Sequence, residues 1–403
     1  MSEVYSPTSE QDVQTFVHSC FLEGSPIEVM GFGSKAIGRE IQCSKTLKLQ
    51  KLDGIIEYFP DELYIKVKPG TSLELIENTL EQKNQELSFE PSDLGYLYKG
   101  KSLKGSAGAA VACNLSGSRR FKAGALRDHL LGFRAVNGKG EVIKSGGSVV
   151  KNVTGYDVSK LISGSYGTLG VITEIIFKVQ PRYDESQTLI IYDLNLKKAL
   201  NVFSQSMQTS YEISGACYYP EGMASFFTLN DIDTNSSITA LRVEGPKISV
   251  SERIKSLKKL FSDHQNIFVL ENYQSRIFWK STSDISFFNN SENTVVKISL
   301  PPVFTEEFLQ QFTNEDIKFV VDWAGNLIWI EIAKEDSVLL RQLRKKVINF
   351  NGHLTIMKAP THVRIREDFL TVVDENIKKL SLRIKDSFDP KGILNPGKMY
   401  SGL

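Results

Sequence analysis

Residues 105–117 read GSAGAAVACNLSG, residues 151–157 read KNVTGYD, and residues 164–172 read GSYGTLGVI. In all three segments glycines stand among small residues, as they do where a backbone must approach a ligand closely. No segment is specific alone, because tight turns in an unrelated α/β fold use the same residues. Their order and spacing decide the fold: separate loops of bare backbone are needed around one large, flat ligand with an anionic tail. The strand-like run Val171 to Val179 then meets Pro181, and from about residue 183 the glycine-rich character stops, which marks a domain boundary.

Two further stretches resemble phosphate loops. GYLYKGKS, from Gly95 to Ser102, satisfies GxxxxGK[ST]. A P-loop needs a buried strand before it and a helix after it. Here Pro91, Ser92 and Asp93 precede, and another glycine-rich stretch follows, so the match reads as a surface loop. Gly31-Phe32-Gly33-Ser34-Lys35-Ala36 fits the dinucleotide pattern GxGxxG/A after the apolar run Ile27 to Met30, with Asp53 about twenty residues on. Its continuation, IGREIQCSKTLKLQ, is broken by Gly38 and carries no sustained apolar stripe, so a nicotinamide-binding βαβ unit is not expected. What remains is a glycine-rich turn whose amides could cap a pyrophosphate without a helix.

A chain of 403 residues is long enough for two cores. With 48 basic and 47 acidic side chains and no basic block, nucleic acid is not an expected partner. No secretory leader or membrane span is read, so a cytoplasmic protein is expected. Cys20, Cys43, Cys113 and Cys217 are widely spaced, which suggests reduced thiols rather than a zinc or iron–sulfur site, and no metal is expected. Ser9 and Asp12 form an acidic capping box before Val13, Phe16, Val17 and Cys20; a second, Thr71 to Glu74, opens a helix with Leu73, Ile76 and Leu80 inward. Residues 295–300, 305–312, 317–321, 327–332, 337–350 and 353–357 predict a ferredoxin-like βαββαβ unit. A final amphipathic helix is predicted from Glu367 to Ser387, with Phe369, Leu370, Val373, Ile377, Leu380 and Ile384 on one stripe.

The glycine-rich segments resemble the FAD-binding domain of the vanillyl-alcohol-oxidase superfamily, the PCMH type. GFGSKAIGRE (31–40) stands as the pyrophosphate loop and SAGAAVACNLSG (106–117) for the usual TIGG-type segment. Within it, KNVTGYDVSKLISGSYGTLGVITE, SGSRRFKAGALRDHLLG, ISGACYY, DWAGNLIWI and the ending FDPKGILNPGKMY are similar to the glycolate oxidase GlcE family. The resemblance implies an α+β, two-lobed fold. Residues 1–182 would form the FAD-binding domain, 183–365 an antiparallel cap with the ferredoxin-like unit, and 366–403 a helix and tail packing back on the FAD domain.

It also implies contacts to FAD. Gly31, Phe32, Gly33, Ser34 and Lys35 would meet the diphosphate; Ser106, Ala107, Gly108, Asn114 and Gly117 would follow the ribityl and ring side. Gly155, Tyr156, Asp157, Gly164, Gly167, Thr168, Gly170, Val171 and Ile172 would complete the pocket, and Asn395 and Lys398 would close over the flavin. For Tyr156 and Asp157 a helix start capped by Asp157 is an equal reading. Ala109 replaces the family's second glycine, which would push the backbone off the ribityl chain. No His or Cys occupies the superfamily's attachment positions in 31–38 or 106–108, and Cys113 reads as a packing residue, so the FAD should be non-covalent.

Oxidation of a 2-hydroxy acid needs a base, cations for the carboxylate and a hydride acceptor. Related catalytic subunits draw metal and base from closely spaced histidines, but His18, His129, His264, His353 and His362 are scattered. His353, His362 and Arg364 are the catalytic candidates; a structural histidine in each case, and solvated Arg364 and Arg366, are the better readings. The resemblance therefore implies an FAD-binding redox subunit working with a catalytic flavoprotein subunit and an iron–sulfur subunit, oxidising glycolate to glyoxylate and passing electrons toward quinone. Any membrane association would run through those partners. The alternatives are a self-sufficient D-2-hydroxy-acid dehydrogenase of the D-lactate type and a non-catalytic assembly subunit.

Overall fold

The computed structural model describes residues 3–147, 156–229, 232–371 and 374–402. The N-terminal helix Glu10–Glu23 begins at the expected box: the Ser9 hydroxyl accepts from the Asp12 amide, and the Asp12 carboxylate accepts from the Ser9 amide. It lays Val13, Val17 and Cys20 over a three-stranded parallel sheet, Glu3–Tyr5, Lys45–Lys48 and Ile27–Met30 in spatial order. Beside it stands a five-stranded antiparallel sheet, in the order Ile55–Phe59, Tyr64–Val67, Val171–Lys178, Leu130–Val136, Val142–Gly146. The helices Leu73–Glu81 and Ala107–Cys113 bury Leu73, Ile76, Leu80, Ala107, Ala110 and Val111 in that sheet's core.

Two expectations change here. The N-cap of the helix Leu73–Glu81 is Ser72, whose hydroxyl accepts from the Leu75 amide. Thr71 does not cap it, because its hydroxyl bridges the amide and carbonyl of Gly54 instead. Residues 107–113, expected as bare loop, coil into a helix: Ser106 caps it, and Asn114 ends it at φ 50°.

Past Pro181 the chain builds one eight-stranded antiparallel sheet, in the order Ile267–Leu270, Glu185–Tyr192, Ile238–Gly245, Ile213–Tyr219, Lys318–Asp322, Leu327–Ile332, Thr294–Ser299, His353–Lys358. The last four strands, with helices Thr305–Gln310 and Ser337–Asn349, are the predicted ferredoxin-like unit. The first four, with helices Leu196–Met207 and Lys247–Leu260, repeat the same strand, helix, strand, strand, helix, strand order and the same spatial order. The cap is thus two such units joined edge to edge through Tyr218 and Val321. The four helices cover one face; the other face turns toward the N-terminal half of the chain.

A buried ion network ties the sheets together. Arg119 donates to Glu244 at 2.8 and 3.0 Å and to Glu86 at 2.6 Å, while Arg242 donates to Glu90 at 2.7 Å. Burial pushes the Glu244 carboxyl up, but the Arg119 and Arg242 guanidiniums outweigh it and hold the pKa at about 2. Its contribution to stability is therefore complete above the ordinary carboxylate range and lost as pH falls toward 2. Arg119→Met, which strands Glu244 beside a single guanidinium, should destabilise the chain by about 3 kcal/mol or more, read as a shifted urea midpoint. A midpoint unchanged at pH 7 would show that the network contributes nothing.

The chain then returns to its beginning. No single helix runs from Glu367 to Ser387: Thr361–Arg366 and Glu375–Phe388 are separate helices. Residues 369 to 371 are held by tertiary bonds, with the Phe369 amide bonded to the Met399 carbonyl, the Ile356 amide to the Phe369 carbonyl and Leu370 bridged to Thr355. Tertiary bonds take the backbone groups a helix would need. Phe369 is buried, whereas Ile377 and Leu380 are exposed, and Val373 lies outside the described residues. The tail inserts Ile393 and Leu394 into the N-terminal core, and Leu394 bridges Ile27. Among the described residues no helix is long and apolar enough to cross a membrane.

Candidate functional site

The loop that leaves the strand Ile27–Met30 forms no further helix or strand before Lys45. Among the described residues, none of the amides from Gly31 to Lys35 donates to a protein acceptor. Five consecutive unpaired amides beside a cleft are a ready anion nest. Gly33 takes φ +66°, the left-handed region that favours glycine, and a Cβ on Gly31 would stand 2.6 Å from the Ser106 hydroxyl. The two segments therefore approach as closely as backbone allows.

They form walls of one cleft of about 1140 Å³ including its open mouth, just above the usual range for small-molecule sites. Of the expected residues, Gly31, Phe32, Gly33, Ser34, Lys35, Ser106, Gly108, Gly167, Gly170, Ile172, Asn395 and Lys398 line it. Asn395 fixes its shape: the side chain accepts from the Val29 amide and donates to the Tyr166 carbonyl, both at 2.7 Å. A Cβ on Gly167, at φ +73°, would meet the Asn395 amide nitrogen at 2.7 Å. Lys35 is turned aside; its ammonium donates to the Leu103 carbonyl, in a turn organised by the buried Asp93, which accepts from the Gly95 and Leu103 amides. Lys398 donates to Glu28 at 3.2 Å.

Other expected residues do not reach the cleft. Ala107 and Val171 are buried in the sheet cores, and Thr168 donates to the Ser165 carbonyl. The Asn114 side chain accepts from the Arg127 amide. Gly117 packs where the two halves meet, since a Cβ there would stand 2.5 Å from the Ser283 hydroxyl of the cap and 2.7 Å from the Glu90 carbonyl. Gly164 donates its amide to Val111. Asp157 caps the short helix Val158–Ile162 and Tyr156 is 96% exposed, which favours the helix-start reading for that pair; Gly155 lies outside the described residues. Cys113, read as packing, lines the cleft. Burial pushes its thiol up to about 12, against the pull of Lys398 and Lys35, so at neutral pH it is not a thiolate nucleophile. Tyr166, at φ 53°, and Pro69 also line the cleft; neither has a sequence signature.

At its inner end the cleft meets the cap. Ile37 and Leu115 belong to its wall and also pack on a cluster with Trp323, Trp329 and Met357. Trp323 sits in a strained turn, with φ 50° followed by Ala324 at 55°, and its indole donates to the Gly117 carbonyl at 3.0 Å. The Arg120 guanidinium lies 4.5 Å and the Lys297 ammonium 4.6 Å from its ring centroid. Sequence reading assigned no role to either cation, though a lysine within the apolar strand TVVKIS was a signal. Burial pushes the Asp322 carboxyl up to about 6, opposed by hydrogen bonds from the Ser118 hydroxyl and the Trp323 amide.

The histidines do not gather. His362 is exposed and 3.6 Å from Glu335. His353 begins the cap's edge strand. Arg364, expected to be solvated, is buried; it donates to the Gly38 carbonyl at 2.9 Å and pairs with Glu40 at 2.8 Å, so it fastens the glycine loop to the cap. Among the described residues no group of three His, Cys, Asp or Glu side chains could hold a metal ion. The unpaired amides, the close glycine walls and the apolar lining of the cleft fit a large flat cofactor with an anionic tail such as FAD.

Comparison with known proteins agrees with that fit. The FAD binding domain family model matches residues 2–146. The chain is 31% identical over 390 residues to glycolate oxidase subunit GlcE of Escherichia coli (strain K12), covering 96% of each. It is 28% identical to glycolate oxidase subunit GlcD of Bacillus subtilis (strain 168), over 99% of this chain and 88% of that one. Its fold is that of 4-ethylphenol oxidase from Gulosibacter chungangensis, with a TM-score of 0.72 at 15% identity, covering 99% of this chain and 89% of the other. The fold is thus α+β, a PCMH-type FAD-binding architecture with an antiparallel cap sheet.

Proposed function

The chain belongs to the family of FAD-linked oxidoreductases that contains the glycolate oxidase protein GlcE, and from that membership we propose that it is the FAD-binding redox subunit of a glycolate-oxidising complex. The observation that carries this reading is the run of unpaired amides from Gly31 to Lys35 in the lining of a cleft that Ile37, Leu94, Leu115 and Ile172 also line. Bound FAD would supply the two-electron acceptor. The chain's own residues hold it: the glycine loop receives the diphosphate, Asn395 keeps the tail against the loop before the strand Val171–Lys178, and Arg364 keeps the glycine loop against the cap. Its partners would be a catalytic flavoprotein subunit and an iron–sulfur subunit, and its place the cytoplasm, with membrane association only through those partners.

A second reading, a self-sufficient dehydrogenase of the D-lactate type, is favoured by the cations Arg120 and Lys297 over the Trp323 ring, in the cluster on which Ile37 and Leu115 of the cleft wall pack. Against it, His353 has no hydrogen bond to orient its ring among the described residues, and an unoriented imidazole is a poor general base. The purified chain should carry about one FAD, released into the supernatant by acid or heat because the Cys113 thiol is protonated. Partners expressed with it should co-purify. A yellow pellet after acid would refute non-covalent binding, and failure to co-purify would refute the complex.

A further inference from the structure

The helix Glu375–Phe388 has a single buried residue, and it is Lys385. Its ammonium donates to the Asp389 carboxylate at 2.6 Å, the Thr168 carbonyl at 2.7 Å and the Leu394 carbonyl at 2.8 Å. Three donors meet three acceptors, so every proton of the ammonium is used. The carboxylate is held in turn. Asp389 accepts from the Ile393 amide at 3.1 Å and the Leu394 amide at 2.7 Å, and it packs against Gly138, where a Cβ would collide with it. Burial of a lysine is costly unless partners of this kind compensate it. What they join is two walls of the cleft: Thr168 lies between Gly167 and Gly170, Leu394 precedes Asn395, and those three residues line it. Asn395 holds a left-handed backbone at φ 44° while its side chain spans from the Val29 amide to the Tyr166 carbonyl. A backbone of that kind persists where the surrounding structure imposes it.

We propose that Lys385, with Asp389 as its counter-ion, is a positioning residue that fixes the loop from Gly167 to Gly170 and the C-terminal tail against each other, and so shapes the wall of the cleft that receives FAD. The inference rests on the flavoprotein reading for the identity of the cofactor, and on nothing in that reading about glycolate or partner subunits. Lys385 does not itself line the cleft, so its removal takes away no contact to the cofactor. It acts through backbone. Its bond to Thr168 holds the loop beside the tail, where Gly167 at φ +73° faces the Asn395 amide nitrogen, 2.7 Å from the place a Cβ would take. Its bond to Leu394 brings Asn395 to the same point from the other side. An apolar side chain at 385 would leave a buried carboxylate and two carbonyls without their shared donor, and loop and tail would part. Arginine is no substitute, because its planar fork matches a carboxylate rather than three acceptors around one nitrogen.

The test follows FAD release on serial dilution of the loaded full chain, read as the rise in flavin fluorescence, and measures the urea midpoint of the same samples. Lys385→Met should weaken FAD binding by about tenfold or more, and a folded variant that purifies without FAD shows the same loss. Arg119→Met is the control for lost stability alone: it should lower the midpoint yet keep FAD affinity within about threefold, since that network stands away from the cleft. Because Lys385 acts through the tail, Lys385→Met should add less than about twofold to the loss caused by Asn395→Ala. Where Lys385→Met does not fold, Lys385→Gln takes its place, since its amide keeps two donors, and the same direction is expected. Parental FAD affinity in a folded Lys385 variant, an equal loss in Arg119→Met, or full additivity with Asn395→Ala would overturn the inference. A parent that carries FAD beside a Lys385 variant that binds it equally well sinks only this inference. A parent that carries none sinks the flavoprotein reading with it.

Discussion

Gly33→Asp is expected to purify without FAD while its cap remains folded. The geometry separates two costs. A Cβ at Gly33 would meet only the Met30 sulfur, at 3.6 Å, so the side chain finds room. The backbone at φ +66° disfavours most residues by roughly 1–2 kcal/mol, although aspartate tolerates this region better than most. The larger cost is electrostatic, because the carboxylate enters a turn whose unpaired amides are proposed to receive the diphosphate. Two like charges about 4 Å apart repel by about 4 kcal/mol at an effective dielectric near 20, roughly a thousandfold in affinity. Gly33→Ala, which meets only the backbone cost, should lose about tenfold. The absorbance ratio of flavin to protein and the thermal unfolding of each variant measure both effects. Flavin content equal to the parent's in Gly33→Asp would remove the diphosphate from this loop.

The contrast between those two variants shows why the nest was legible in the sequence while much around it was not. Glycine positions announce themselves, since only a few backbones require them, and they marked the loops at 31–35 and 164–172, whose FAD contacts the family resemblance then implied. The second ferredoxin-like unit carries the same information as the first, yet it was missed. Its strands Glu185–Tyr192, Ile213–Tyr219 and Ile238–Gly245 are buried on both faces, so the alternation that marks a strand is absent. The helix at 107–113 was hidden for the opposite reason: its small residues suit bare loop and tight helix equally, and only the Ser106 cap distinguishes them. The amphipathic stripe from Phe369 to Ile384 satisfied helical spacing, but the tail claims the backbone of Phe369 and Thr371 is claimed by Leu354, and periodicity cannot register such distant competitors. The Arg120, Lys297 and Trp323 cluster needed the sheet register itself, because three residues far apart in sequence meet only once Lys297 is opposite Trp329. Asn114, Gly117 and Thr168 went wrong by the same logic: their residue types are right for a flavin loop, and tertiary contacts spend them on the protein.

The partner dependence of turnover follows from what that cluster contains and what it lacks. It contains two cations over the Trp323 ring and, among the described residues, no side chain held by hydrogen bonds in the manner of a general base. His353 has no partner to fix its tautomer among the described residues, His362 is exposed beside Glu335, and Arg364 is committed to Gly38 and Glu40. Losing a positioned base costs about 10² to 10⁴ in rate even where hydride geometry survives. The purified chain should therefore bind FAD yet reduce its flavin with glycolate slower by that factor than the assembled complex does, in anaerobic single-turnover measurements. Burial raises the pKa of Asp322, beside the cations, to about 6, and the hydrogen bonds it accepts from the Ser118 hydroxyl and the Trp323 amide hold it away from a base's task. Adding the catalytic flavoprotein and iron–sulfur subunits should restore glycolate-dependent dye reduction. The same mixture made with Gly33→Asp separates the remaining roles: loss of activity puts this FAD on the electron path, and full activity makes the chain an assembly subunit. Brisk reduction by the chain alone would overturn the redox-subunit reading, and His353→Ala would then be the first variant to test, since burial, aided by Lys297 and Arg120, holds that imidazole below its ordinary pKa.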